Sequence, residues 1–348
     1  MRHTIKIAAS VAAGLALAAC GSGGGGSGTT GSSSAAGATT IGFLSAAPRN
    51  DGGFTQYGLA GVQAAVQADP SLKLTSIVDS VTGSQAQIQG LESLAASNKI
   101  VVADSAELNK AVQVAAAKYP DVRFVLVAAD LPAKMDNVSS VSAASGYDAV
   151  VAGAVASVLS SSKKLGMISG LQLPATTSWY YGMKQGAALD SPATKVSQTY
   201  TGDFNDVGKA KQAAEAMIAT GTDQLLADLD SGSQGVYQAA ESAAEDVGVY
   251  QVFALNCAAS KTVVGAGVVS WSSILQKSVA DAAGGRLPSG AISYGLKSGA
   301  LSFQFCPGKG TDAAKALADK VTGQLKAGEI VTGDGVLLAR PSYAFTER

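Results

Sequence analysis

From residue 40 onward the chain alternates short apolar runs with longer stretches of helical periodicity, and it does so twice. Ile41-Gly42-Phe43-Leu44 reads as a strand, and residues 54–67 read as a helix. A strand over 74–78, a helix over 85–96 and a strand over 100–103 follow. A helix over 106–118 stops before Pro120, and strands over 124–127 and 138–141 end the first run. Ile100-Val101-Val102-Ala103 is apolar at every position, as a strand covered on both faces must be. After a break near residue 145 the order restarts with an Ala/Val-rich helix over 147–159. Strands over 164–168, 196–200, 224–227 and 250–255 follow, with helices between them. The remainder reads as a stretch over 262–269, a helix from 271 to about 283, a strand near 301–305, a helix over 311–326 and a last strand near 336–338. Alternation on this scale specifies the α/β class, with doubly wound parallel sheets that carry helices on both faces. Two successive runs predict two similar lobes. Right-handed crossovers then place ligand-facing loops at the carboxyl ends of the strands.

The N-terminus has a different character. Arg2 and Lys6 precede a run of small apolar residues over 7–19. That run is shorter than the roughly 20 residues a bilayer span needs, and it suits the core of an export signal. It ends in Leu17-Ala18-Ala19-Cys20, the pattern of a bacterial lipobox. The Cys20 thiolate can take a lipid as a stable thioether, and small residues at 18 and 19 admit the backbone to a peptidase. Residues 1–19 are therefore expected to be a lipoprotein signal peptide. Residues 20–39 are the lipidated cysteine and a Gly/Ser/Thr/Ala tether too poor in apolar surface to order. About 19 flexible residues span roughly 25 Å root-mean-square. The expected location is the extracytoplasmic face of the cell membrane, held there by the lipid.

Composition excludes several chemistries. The formal charge is −1, and removal of Arg2 and Lys6 with the signal lowers it further. No basic cluster stands out, so no nucleic-acid partner is expected. The one histidine, His3, lies in the signal, which leaves the mature chain without an imidazole base. Ser-His-Asp and Cys-His arrangements are excluded on that ground, and the usual His/Cys zinc sites are not expected. No G-x-S-x-G elbow or phosphate loop is present, and Pro307-Gly308-Lys309-Gly310-Thr311 lacks the spacing of the latter. No metal and no cofactor are expected. Catalysis by carboxylates alone is the enzymatic route left open. Beyond Cys20 the cysteines are Cys257 and Cys306. An even pair in an oxidising compartment is compatible with a disulfide, and equally with two buried free thiols.

Six segments, in order, carry a family resemblance: Asn50-Asp51-Gly52-Gly53-Phe54-Thr55-Gln56; Lys118-Tyr119-Pro120-Asp121-Val122-Arg123-Phe124; Asn137-Val138 with Ala152-Gly153-Ala154-Val155-Ala156; Lys164-Leu165-Gly166-Met167-Ile168-Ser169-Gly170 with Pro174; Tyr200-Thr201-Gly202-Asp203-Phe204-Asn205-Asp206; and Gly232-Ser233-Gln234-Gly235-Val236. Across residues 40–285 they resemble the basic membrane protein family, substrate-binding lipoproteins of ABC importers that include purine-nucleoside receptors. The resemblance implies a type I periplasmic-binding-protein fold, two lobes joined by a hinge of about three crossing segments that close on a solute. The first lobe is expected over 40–145 plus about 258–290, and the second over 146–257 plus about 291–348. It also implies that Phe54 and Phe204 sandwich a ring, an arrangement in which stacking contributes roughly 1–3 kcal/mol per base in nucleic-acid binders.

The chain departs from the family pattern. Asn256 stands where the family has a ribose-gripping carboxylate, Thr55 where it has an asparagine, and Trp271-Ser272-Ser273 where a lysine is expected. An amide binds hydroxyls less strongly than a carboxylate does, so the site is expected to be more neutral than the family's. The candidate ligand-binding residues are Asn50, Asp51, Phe54, Thr55, Asp130, Phe204, Asp230, Gly232, Asn256 and Trp271. Asp104 and Trp179 are further candidates, Asp104 also being a candidate helix cap. The expected function is that of an extracytoplasmic, monomeric solute receptor without enzymatic activity, which delivers a small ring-containing solute, nucleoside-like, to an ABC permease. The alternatives are a ligand-sensing lipoprotein of the same fold and a carboxylate-dependent enzyme.

Overall fold

Two runs of strands and helices build two sheets. The first comprises β1 (Thr39–Ser45), α1 (Phe54–Ala68), β2 (Leu72–Val78), α2 (Ser84–Ala95), β3 (Ile100–Asp104), α3 (Asn109–Lys118), β4 (Arg123–Val127) and β5 (Val138–Ala143). The second comprises α4 (Tyr147–Leu159), β6 (Lys164–Ser169), α5 (Pro174–Asp190), β7 (Lys195–Tyr200), α6 (Val207–Ala219), β8 (Gln224–Asp228), α7 (Ser233–Ser242), β9 (Gly248–Phe253) and β10 (Val263–Val269). The chain continues through α8 (Trp271–Ala283), β11 (Gly290–Tyr294), β12 (Leu301–Phe305), α9 (Asp312–Ala327) and β13 (Thr346–Glu347). This computed structural model describes residues 37–327 other than 130, 132, 144, 145 and 297, together with 346–347. The signal peptide, Cys20, most of the tether and the strand expected near 336–338 lie outside the described residues.

The sheet orders are β13-β11-β5-β4-β3-β1-β2 and β12-β10-β9-β8-β6-β7. Set β13 aside and the two coincide position by position: β1 matches β6, β3 matches β8, and β4 matches β9. Burial explains the order. Every residue of β3 and of β8 is buried, so these strands sit centrally. β2 and β7 carry exposed and half-buried residues, as suits the edges. One apolar core runs through both sheets, from Ile41 and Phe43 to Met167 and Leu226. Among the described residues no helix is long and apolar enough to cross a membrane.

The chain passes from the first sheet to the second between β5 and α4, returns at Ser270, and crosses again between β11 and β12. The Ser270 N–H donates to the Ala300 carbonyl (2.9 Å), tying two of these crossings together. The lobe boundaries differ from those expected. Val263–Val269 was expected in the first lobe but pairs with β9 in the second sheet. Gly290–Tyr294 pairs with β5, so the first lobe extends past residue 290. The cause is non-local: a strand joins whichever edge is open beside it, and five residues of mixed character such as Gly-Ala-Ile-Ser-Tyr carry no label of their sheet. β12 also runs antiparallel to β10, in otherwise parallel surroundings. Cys257 and Cys306 form a disulfide (Cα–Cα 5.6 Å), which fastens the turn after β9 to the end of β12.

Candidate functional site

The carboxyl ends of strands from both sheets open onto one cavity of about 700 Å³. The matched topology places matched residues there. Ser45 ends β1 opposite Asp104 at the end of β3. Ser169 ends β6 opposite Asp228 at the end of β8. Each lobe thus offers the cavity a buried aspartate beside a buried serine. The same correspondence relates Ala128, just past β4, to Phe253 at the end of β9. Both line the cavity with positive φ, 58° and 68°, a conformation unusual for residues with a Cβ and one that turns the chain sharply at the strand end.

Phe54 is presented by the turn before α1. Asp51 holds that turn by accepting from the N–H groups of Gly53 (2.9 Å), Thr55 (3.0 Å) and Gln56 (3.1 Å). The carboxylate thereby satisfies N–H groups that the first helical turn would leave without partners. Thr55 is fixed by a hydroxyl contact to Ser45 (2.8 Å). The Phe54 ring meets Trp271 edge to face (5.0 Å between centroids) and Phe253 (5.9 Å), and Phe253 in turn meets Trp179 (6.0 Å). These rings come from both lobes, since Phe54 and Trp271 belong to α1 and α8 and the other two to β9 and α5. Phe204 faces the same cavity from the second lobe. Its backbone carbonyl accepts from Asp230 and Gly232 N–H (3.0 and 3.1 Å).

A polar contact joins the lobes directly. Asp230 Oδ1 accepts from the Phe54 N–H (3.1 Å). The approach requires glycine at position 53, where a Cβ would lie 2.0 Å from that same oxygen. Position 58 has a similar constraint, a Cβ there meeting Asp104 Oδ1 at 2.6 Å.

The cavity is acidic. Among the described residues, Asp104, Glu107, Asp203, Asp228 and Asp230 line it, and no lysine or arginine does. Both carboxyl oxygens of Asp104, Oδ2 of Asp228 and the indole N–H of Trp271 are buried without a hydrogen-bond partner. Burial pushes Asp104 well above the usual carboxylate range, and the charges of Asp51 and Asp230 push it the same way. Burial raises Asp228 to about 7, partly offset by the Ser169 hydroxyl. Burial and the Asp51 charge raise Asp230 to about 7, against the pull of the Phe54 N–H. Buried polar atoms of this kind cost roughly 1–3 kcal/mol each when unsatisfied, so a solute that supplies N–H or O–H groups to the carboxyls and an acceptor to Trp271 is bound with a large gain. Among the described residues no group of three His, Cys, Asp or Glu side chains is placed to hold a metal ion.

Of the residues singled out from sequence, Phe54, Thr55, Phe204, Asp230 and Trp271 line the cavity, as do Asp104 and Trp179. Asn50 is exposed and does not line it. Asp51 serves the α1 turn. Gly232 packs beneath the Phe204 carbonyl, where a Cβ would lie 2.6 Å away. Asn256 is exposed outside the cavity, with Oδ1 accepting from Ala258 N–H (3.2 Å). Asp130 lies outside the described residues. Ser105 caps the short 3₁₀ turn over Ala106–Leu108 that leads into α3, accepting from Glu107 N–H (3.1 Å), so Asp104 is left to the cavity. Sequence reasoning passed over Asp228 and Phe253. Their signal is a repeated register: the strand-end serine and aspartate of the first lobe recur in the second.

A family model described as ABC transporter substrate-binding protein, PnrA-like, matches residues 38–330. A purine-binding protein of Brucella abortus is 25% identical over 297 residues, which span 83% of this chain and 81% of that protein. An ABC transporter nucleoside-binding protein of Lactococcus lactis subsp. cremoris is 30% identical over 135 residues, 39% of this chain and only 38% of that protein's length. An ABC transporter solute-binding protein of Aeropyrum pernix superposes with a TM-score of 0.75 at 18% identity, covering 85% of this chain and 94% of that one. One from Conexibacter woesei gives 0.68 at 22% identity, covering 86% and 99%.

Proposed function

The chain belongs to the PnrA-like family of ABC transporter substrate-binding proteins, and on that premise we propose that it captures a flat, ring-containing polar solute of nucleoside type and hands it to an ABC permease. The observation that carries this reading is a cavity built equally from both lobes, with aromatic rings and unpartnered carboxyls facing it. Phe54 and Phe204 stack on the two faces of the ring. The aspartates at the strand ends accept from its N–H and hydroxyl groups. Contacts to both lobes select the closed arrangement, which is how a two-lobed receptor couples occupancy to shape. No covalent step on this chain is needed. The protein acts as a monomer outside the cytoplasm, and the Cys20 thioether and the tether that follows keep it beside the membrane.

Thermal-shift screening of adenosine, inosine, guanosine, adenine, ribose and hexoses tests the reading. A rise in Tm with at least one nucleoside or base is expected, and it is lost in Phe54→Ala and Phe204→Ala. Stabilisation by hexoses alone, or an unchanged response in both variants, refutes it.

A further inference from the structure

We propose that the cleft selects a solute with a positive charge: a cationic ring held between Phe54 and Phe204 and bordered by Trp271 and Phe253, with the carboxyls of Asp104, Asp228 and Asp230 as its counter-charges. This assignment rests on the ring-binding reading of the same cavity and adds the charge class of the solute.

Three observations carry it. First, among the described residues the lining holds five acids and no base. The ion pairs among the described residues, such as Lys163–Asp190 and Lys277–Asp281, lie elsewhere and none includes Asp104, Asp228 or Asp230. Second, Asp104 is fully buried, lines the cavity, and has both oxygens unpartnered; Asp228 Oδ2 is in the same condition. A carboxylate removed from water needs a compensating charge or a proton, and among the described residues no basic side chain lines the cavity to supply that charge. Third, the rings that surround the space are those that attract cations. The Phe54, Trp271 and Phe253 cluster has centroid separations of 5.0 and 5.9 Å, and aromatic faces bind cationic groups through the ring quadrupole.

Among the described residues, the charged groups that act on these carboxyls share their sign. Asp51 and Asp230 act on Asp104, while Asp51, Asp228 and Asp203 act on Asp230. A neutral ring can donate to the unpartnered oxygens, but it leaves the buried negative charges to be neutralised by protons taken from water. A cation neutralises them itself. Low-dielectric walls of one sign also concentrate such a solute at the mouth of the site. A phosphorylated or carboxylated solute meets repulsion from the ionised acids in the lining.

The test uses the whole protein and three solutes of matched shape, with affinity measured by calorimetry at pH 7.5. Nicotinamide riboside carries a ring cation. Its 1,4-dihydro form has the same heavy atoms and no charge. Nicotinamide mononucleotide adds a phosphate. The riboside cation is expected to bind about tenfold or more tighter than the dihydro form, with the preference falling as salt is raised. The mononucleotide is expected to bind weakest. Asp104→Asn and Asp228→Asn should each lower the cation-to-neutral ratio by about threefold or more. The ratio within one variant is insensitive to a general loss of stability, and the wild-type ratio alone decides the proposal. Equal or tighter binding of the dihydro form overturns the charge assignment and leaves nucleoside capture standing. Binding of neither form, alongside a nucleoside that does bind in the thermal screen, also overturns it. Failure of every solute in both experiments removes both readings together.

Discussion

Replacing Gly53 by alanine drives a methyl group into the carboxylate that joins the lobes. The Cβ would lie 2.0 Å from Asp230 Oδ1, 2.8 Å from its Cγ and 3.1 Å from its Cβ, against a practical floor of 3.0 Å. Because even the Asp230 Cβ sits close, rotating the side chain relieves only part of the clash. The rest is relieved by moving the turn at 53 away from the turn at 230, which parts the lobes and breaks the bond from Phe54 N–H to Asp230 Oδ1. A hydrogen bond to a charged group contributes roughly 1.5–3 kcal/mol, so the closing equilibrium shifts by about tenfold to a hundredfold toward open. If ligand is gripped only in the closed arrangement, its apparent Kd rises by the same factor. Asp230→Ala removes the same bond without the clash, and the double variant should be no worse than Asp230→Ala alone. Calorimetry with the most stabilising nucleoside measures the affinities, and small-angle scattering of the free variants measures the opening. A Gly53→Ala variant that binds as tightly as the parent, or losses that add fully in the double variant, would refute the reasoning.

The other expectations concern stability. Asp148 is buried at the start of α4 and does not line the cavity, and burial raises its carboxyl to about 7. Such a group holds its proton in the folded state where the unfolded chain has already lost it, so its stabilising effect is complete below about pH 4 and is lost as pH rises to about 7. Asp148→Asn should therefore raise Tm at pH 8, by an increment equivalent to about 1–4 kcal/mol, and raise it by a much smaller increment at pH 4.5. Denaturant melts at the two pH values check this, and an equal effect at both contradicts it. Reduction of Cys257–Cys306, which closes a loop of sequence separation 49, should destabilise the protein by about 4 kcal/mol on the chain-entropy model. Comparing melts of the oxidised protein and of a Cys257→Ser/Cys306→Ser double variant tests it, and coincident melts count against it.

Much of the fold was legible because its signals are local. Ile100-Val101-Val102 and Gln224-Leu225-Leu226-Ala227 announce buried strands through unbroken apolar runs, and the helices between them follow from periodicity. Phe54 and Phe204 were found because each sits in a loop of polar and small residues, where an aromatic ring has little core to fill. Asp51 and Asn256 show the limit of such reading. Asp51 stands in a motif segment and Asn256 at a family position, yet each spends side-chain oxygen on nearby backbone N–H groups, and local sequence does not say whether a short polar side chain turns inward to its own chain or outward to a solute.

The sequence by itself determined the α/β class, the two-lobed repeat and some of the residues that reach the cavity, Phe54 and Phe204 among them, because strand and helix propensity act over a few neighbouring residues. Only the tertiary structure decided that Asp104 and Asp228 occupy equivalent places, that Val263–Val269 joins the second sheet, and that Asp230 reaches across to Phe54, 176 residues earlier. These depend on which edges and turns meet in space. That is fixed by burial of apolar surface over the whole chain, so no window along the sequence contains it.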